Sequence, residues 1–239
     1  MFSINFKLIS IIALLFPGSV LADEILSIYP KTISEDCFAG RALSYDECGL
    51  QSEILHSALR EANKTDKTVL VVFGAEWCIW CHVFKEHIKG KFGEFNYKLE
   101  GQAGYNLNEK HTDQDILNAN DLRQYAAKTF VVANIEAQYS FDGYDVLYES
   151  GAEKYIKDSI PFIFTTDRNG QFLREMPSTH ELKSFEKKRD GVDWYRGYNR
   201  KVLLSELKKI NKLKLHVIHC EQYLIQRHAT QKYHQFRAP

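Results

Sequence analysis

Neither sign of charge is in excess in this chain, and that removes two classes of partner. Lys and Arg total 31, and Asp and Glu total 31, over 239 residues. Without a net field, neither nucleic acid nor an anionic membrane surface is favoured. Long apolar runs are missing too. The run LISIIALLF at residues 8–16 falls short of the roughly 20 residues that a membrane-spanning helix needs. There is no internal repeat and no low-complexity tract, and the chain ends Phe236-Arg237-Ala238-Pro239, without an ER-retention tetrapeptide. Hydrophobic residues at 44% and aromatics at 13% fit a packed core. The length suits one domain with extensions, or two small domains.

What is present begins with a leader pattern. Lys7 precedes the apolar run, Pro17 and Gly18 break it, and Val20-Leu21-Ala22 offers small residues for cleavage. A secretory signal peptide over residues 1–22 is expected, with an uncleaved anchor as the alternative. No cysteine lies at the cleavage point, which argues against a lipid anchor. The mature chain is then exported, periplasmic or secreted, with no membrane span. All of Cys37, Cys48, Cys78, Cys81 and Cys220 lie in that mature part. An oxidising compartment permits disulfides, and an odd count leaves at least one thiol over. Cys37 and Cys48 are the expected structural disulfide, worth about 3 kcal/mol in the chain-entropy model. Two free thiols, or pairing of one with Cys220, are the alternatives.

Apolar spacing predicts a helix over 52–64 through Ile54, Leu55, Ala58, Leu59 and Ala62. The run at 68–73 predicts a strand buried on both faces. A helix follows Trp77, with Cys81, Phe84 and Ile88 on one face and Lys85, Glu86 and Lys89 on the other. His82 is expected on its exposed side. Glycine and asparagine over 91–112 predict a long loop carrying at most a short hairpin. A helix at 113–128, a strand at 130–135 and one or two helical turns at 152–157 follow. Then come a strand at 160–165, a turn at 167–170 and a returning strand at 171–175. The capping-box pattern Ser178-Thr179-His180-Glu181 predicts a helix to Arg189. Another helix is expected over 198–210, and the basic tail from 213 is left unassigned. This order of elements is α/β.

The chemistry centres on Cys78-Ile79-Trp80-Cys81-His82. A working dithiol needs a thiolate near neutral pH, and a helix N-terminus lowers a thiol pKa. Cys78 stands at such a junction, and Cys81 lies one turn further on the buried side. VLVVFGAEWCIWC, including Ala75-Glu76-Trp77, resembles the active-site strand and turn of thioredoxins. Ile160-Pro161 before an apolar strand resembles that family's cis-proline segment. Within the family the Cys-x-Trp-Cys form is most similar to exported bacterial thioredoxin-like proteins. The resemblance covers residues 67–176. It implies a thioredoxin-like fold, a central mixed sheet flanked by helices, with N- and C-terminal extensions. With the order of elements along the chain, it divides the sequence into 23–51 as N-terminal extension, 52–190 as thioredoxin-like domain with a loop inserted at about 91–112, and 191–239 as C-terminal helical extension and tail. It implies a thiol–disulfide oxidoreductase exchanging with protein thiols and disulfides, without a cofactor, and with an electron donor or acceptor left open. Cys78 and Cys81 would be catalytic. Trp77, Ile160 and Pro161 would contact substrate, the backbone at Ile160 by strand addition.

The sequence departs from the family at Val72, where thioredoxins carry a buried acid; Glu76 or a water would have to substitute. Ile79 and Trp80 place no cation between the cysteines, which leans away from a strong oxidant and towards a reductase. Other readings stay open. A binding or scaffold module could keep the fold with a structural disulfide. CIWCH also matches c-type haem attachment, with His82 as axial ligand and Met176 or a histidine opposite. Zinc could use Cys78, Cys81 and His82 or His87, or His216, His219 and Cys220, but no second pair stands at finger spacing.

Overall fold

Strand β2 (Thr68–Gly74) is buried along its whole length, so both of its faces must be covered. The computed structural model describes residues 24–37, 39–98, 106–108, 111–157, 159–178, 185–189 and 193–211. The expected leader and the basic tail with Cys220 lie outside them. β5 (Phe130–Glu136), equally buried, runs parallel to β2 with Val72 opposite Asn134 and Gly74 opposite Glu136. β1 (Ser27–Tyr29) adds a parallel edge beside β5. On the other side β6 (Phe162–Thr166) is antiparallel to β2, and β7 (Phe172–Glu175) is antiparallel to β6. The order β1-β5-β2-β6-β7 makes a five-stranded mixed sheet of thioredoxin-like α/β fold.

Alternation along the strands sorts the core into two layers. Val69, Val71, Phe73, Val131, Ala133 and Ile135 pack against α1 (Gln51–Thr65) and α4 (Gly143–Ser150). Leu70, Val72 and Val132 pack against α2 (Ile79–Ile88), α3 (Asp113–Thr129) and a helix at 200–211. The N-terminus of α1 has no cap of its own. Asp142, ahead of α4, accepts from Gln51 N at 2.9 Å and from Ser52 N at 3.0 Å instead. These hydrogen bonds outweigh the effect of burial and hold the Asp142 carboxyl below its ordinary pKa.

Four expectations change. Residues 27–29, expected in an irregular extension, form the β1 edge of the main sheet. The short hairpin allowed for within 91–112 is there, as β3 (Glu94–Lys98) against β4 (Asn106–Asn108), but β3 also joins a larger sheet. The expected helix towards Arg189 is replaced at its end by a strand, β8 (Phe185–Arg189). Residues 179–184 lie outside the described ones. β8 pairs with β9 (Asp193–Tyr198), which pairs with β3, giving a second antiparallel sheet in the order β4-β3-β9-β8. β8 is set by β9, which follows it closely in the chain, and β9 is set in turn by the distant β3. His82, expected exposed, is largely covered, as described below.

The second sheet is keyed to α2 by Gly197 and Tyr198. Gly197 has φ 96°, and a Cβ there would lie 2.9 Å from the His87 ring. Tyr198 is buried and packs edge-on against Trp80, Phe84 and His87. His87 is fully buried, with Nε2 donating to the Tyr198 carbonyl at 3.1 Å. Burial first, and the Arg200 charge second, push His87 from its ordinary 6.5 down to about 3. It folds neutral, so its contribution is complete above pH 6.5 and is lost as pH falls towards 3. The loss runs at about 1.4 kcal/mol per pH unit. Urea midpoints should fall through that window in the wild type, and less steeply in His87→Gln.

Candidate functional site

The dithiol sits where β2 runs into α2. Cys78 is the N-cap of α2, its backbone extended, and its Sγ accepts from Cys81 N at 3.2 Å. The two cysteines are joined in a disulfide. The placement puts Cys78 at the positive end of a helix dipole, among amides that have no helical partner. Cys78 is 3% exposed and Cys81 1%. Both are covered, by Trp80 and Ile160 and, from the N-terminal segment, by Tyr45.

The N-terminal segment forms a strap over residue 37 and residues 39–50. Cys37 and Cys48 close it with a second disulfide. Glu76, directly before Trp77, fixes its middle: one carboxylate oxygen accepts from Ser44 N at 2.9 Å and from Tyr45 N at 3.0 Å. Asn134 on β5 donates to the Ser44 carbonyl at 3.2 Å. Lys85 donates to the Leu43 carbonyl at 3.1 Å and to the Ser44 hydroxyl. Burial lowers the Lys85 pKa, with Glu86 opposing. Gln51 binds the strap's far end, donating to the carbonyls of Asp46 and Gly49 while its oxygen accepts from Glu136 N.

His82 belongs to this clamp. Its Nε2 donates to the Glu76 carbonyl at 2.6 Å, and its Nδ1 lies 3.2 Å from the Ser44 hydroxyl. The helical wheel placed it on the polar side of α2; the strap covers that side. With both ring nitrogens engaged, and with Cys78 and Cys81 joined to each other, these residues do not fit a c-type haem. Zinc at the same motif meets the same objection, and His87 is turned to the second sheet. Cys37, Asp46 and Cys48 come within ligating distance of one another, but their sulfurs are bonded together. The set His216, His219 and Cys220 lies outside the described residues.

Tyr45 is the strap residue over the dithiol. It is 1% exposed and packs with Ala75, Cys78 and Cys81. Gly74 makes the room: a Cβ there would lie 2.6 Å from Cys81 Sγ and 2.7 Å from the Tyr45 hydroxyl oxygen. Ile160 packs against the same cluster, so the chain brings it to the dithiol. The Ile160–Pro161 peptide is cis. Pro161 also lines a cleft of about 280 Å³ with Phe162, Met176, Glu206 and Ile210, and none of the cleft's lining residues belongs to the dithiol cluster. Trp77 is 52% exposed at the rim, its Nε1 donating to Gln138 at 2.8 Å. Sequence reasoning missed Tyr45, Ser44 and Asn134. The pair Cys37 and Cys48 marked a constrained segment, but nothing in the sequence says where that segment docks.

No protein-family model matches this chain, and no curated protein matches it. Among solved structures, the chain is similar to a disulphide isomerase from Xylella fastidiosa Temecula1. The two are 20% identical, with 56% of this chain and 79% of that chain covered, at a TM-score of 0.37. The likeness is loose, and the fold stands on the strand order described above.

Opening the strap's disulfide should cost stability and uncover the dithiol. The Cys37→Ser/Cys48→Ser double variant should lose about 3 kcal/mol in urea unfolding. Its Cys78–Cys81 bond should be reduced faster than the wild type's by a small dithiol, followed by mass after thiol trapping.

Proposed function

We propose that the chain is an exported thiol–disulfide oxidoreductase, working mainly as a reductase of protein disulfides. The observation that carries this is the Cys78–Cys81 disulfide, closed at the first turn of α2 with Cys78 as N-cap. In the reduced form the Cys78 thiolate is favoured by the helix N-terminus and by the Cys81 amide. It attacks one sulfur of a substrate disulfide, and the other sulfur leaves as a thiolate. The Cys81 thiolate then attacks Cys78 Sγ. The Cys78–Cys81 bond forms, the bond to substrate breaks, and the substrate has gained two electrons. Ile160 beside the dithiol and Trp77 at its rim are the proposed substrate contacts, with Pro161 setting the backbone between them and β6. Export rests on the leader pattern at residues 1–22.

One observation favours a second reading. Cys78 is 3% exposed beneath the strap, as in a structural disulfide of a binding module. Reduction of insulin disulfides separates the two. The wild type should catalyse it and Cys78→Ser should not. Cys81→Ser should accumulate mixed disulfides with protein partners. Equal rates for wild type and Cys78→Ser would overturn the enzyme reading and leave the binding module.

A further inference from the structure

The Tyr45 hydroxyl is a buried polar atom with no hydrogen-bond partner among the described residues. Such atoms are costly and rare, and one turned towards a reactive centre calls for a functional account. Its surroundings supply one. It shares the space above Gly74 with Cys81 Sγ, and it is held there by strap contacts made through backbone atoms rather than through the phenol. A disulfide sulfur accepts hydrogen bonds weakly, whereas a thiolate accepts them strongly. The hydroxyl lacks a partner beside the Cys81 disulfide sulfur, and a Cys81 thiolate would supply the acceptor.

We infer that Tyr45, supplied by the N-terminal strap, donates a hydrogen bond to the Cys81 thiolate and so readies the resolving cysteine for attack. The inference rests on the oxidoreductase reading. It assigns Tyr45 a task at the dithiol that Val72 cannot perform. Tyr45 acts as donor and not as base. Burial first, then the carboxylates of Glu76 and Glu136, push its phenol well above the ordinary value of 10. It keeps its proton through the working range. The charged and titratable groups around it are Glu76 and His82 beneath the strap, Lys85 on α2, Glu136 at the end of β5, and the Tyr198 phenol on β9. The two carboxylates alone would disfavour a thiolate nearby, so a neutral donor at this point has a charge to offset. When Cys81 attacks Cys78 Sγ and the substrate sulfur leaves as a thiolate, the hydroxyl gives up its acceptor and retains its proton. No oxidant beyond the substrate disulfide is needed.

Tyr45→Phe keeps the ring and removes the donor. In a Cys78→Ser/Cys220→Ser background, Cys81 is the sole thiol outside the Cys37–Cys48 disulfide. Its thiolate absorbance can be followed against pH with and without Tyr45→Phe. The expected result is an apparent Cys81 pKa raised by about one pH unit, together with roughly tenfold slower resolution of a Cys78 mixed disulfide in the otherwise wild-type chain. An unchanged Cys81 titration, with insulin reduction intact, would overturn the role of Tyr45 and leave the oxidoreductase standing. A wild-type Cys78–Cys81 pair that exchanges with no dithiol would overturn both. Should Tyr45→Phe fold poorly, the Tyr45 Cζ carbon signal of the wild-type chain decides. It should move between the oxidised and reduced forms, and an unmoved signal would overturn the inference.

Discussion

No side chain fits at Gly74, and the whole neighbourhood of the dithiol depends on that. β2 delivers a chain of buried β-branched and apolar residues up to this point, then presents bare backbone. Cys81 Sγ and the Tyr45 ring occupy the volume that any Cβ would claim. A larger residue would push α2 away from the sheet or lift the strap. Glycine here serves close approach and not an unusual backbone angle, since its φ is not positive.

Around that point, buried carboxylates do work usually left to secondary structure. Glu76 accepts two strap amides, and Asp142 accepts the first amides of α1. Glu136, 1% exposed, accepts with one oxygen from the amides of Gln138, Tyr139 and Ser140. Hydrogen bonds to an ionised acceptor contribute about 1.5–3 kcal/mol each, which offsets part of the cost of burying the charge. The result is that irregular backbone is held rigidly at the strand ends where the dithiol lies. Loops without such acceptors would bury unpaired amides, which chains avoid.

Much of this was legible in the sequence, and the limits follow from range. β2 and β5 are continuous apolar runs, and α1 repeats its apolar residues at helical spacing, so each is specified locally. The dithiol at the strand-to-helix junction was equally readable, whereas the approach of the Ile160-Pro161 segment to it was implied by the family resemblance and not by local pattern. β1 was not, because three residues of strand have no meaning without β5 beside them. β8 was misread because Ser178-Thr179-His180-Glu181 looks like a helix start, while residues 185–189 pair with β9 and, through it, join a sheet with the distant β3. His82 was misread for a related reason. A helical wheel reports which face of α2 is polar, not whether a segment some forty residues earlier lies across it. Tyr45 fell out of view for the same cause: its partners Gly74, Glu76 and Cys81 are all distant in sequence.

The apolar residue at position 72 then has a place in the design. In parallel register Val72 is aligned with Asn134 and Gly74 with Glu136, so the polar side chains nearest the dithiol face come from β5. Asn134 spends its amide on the strap carbonyl, and Glu136 spends one oxygen on the following loop. Both are committed to holding backbone, and neither replaces an acid at position 72 directly. The polarity that the dithiol meets is delivered instead by the strap those residues hold down. Val72 belongs to the apolar core that Val83 and Phe84 of α2 share, and a polar group there would have to be buried in that core. Separating the packing surface from the polar cover lets one strand serve stability while a disulfide-bound extension lies over the sulfurs.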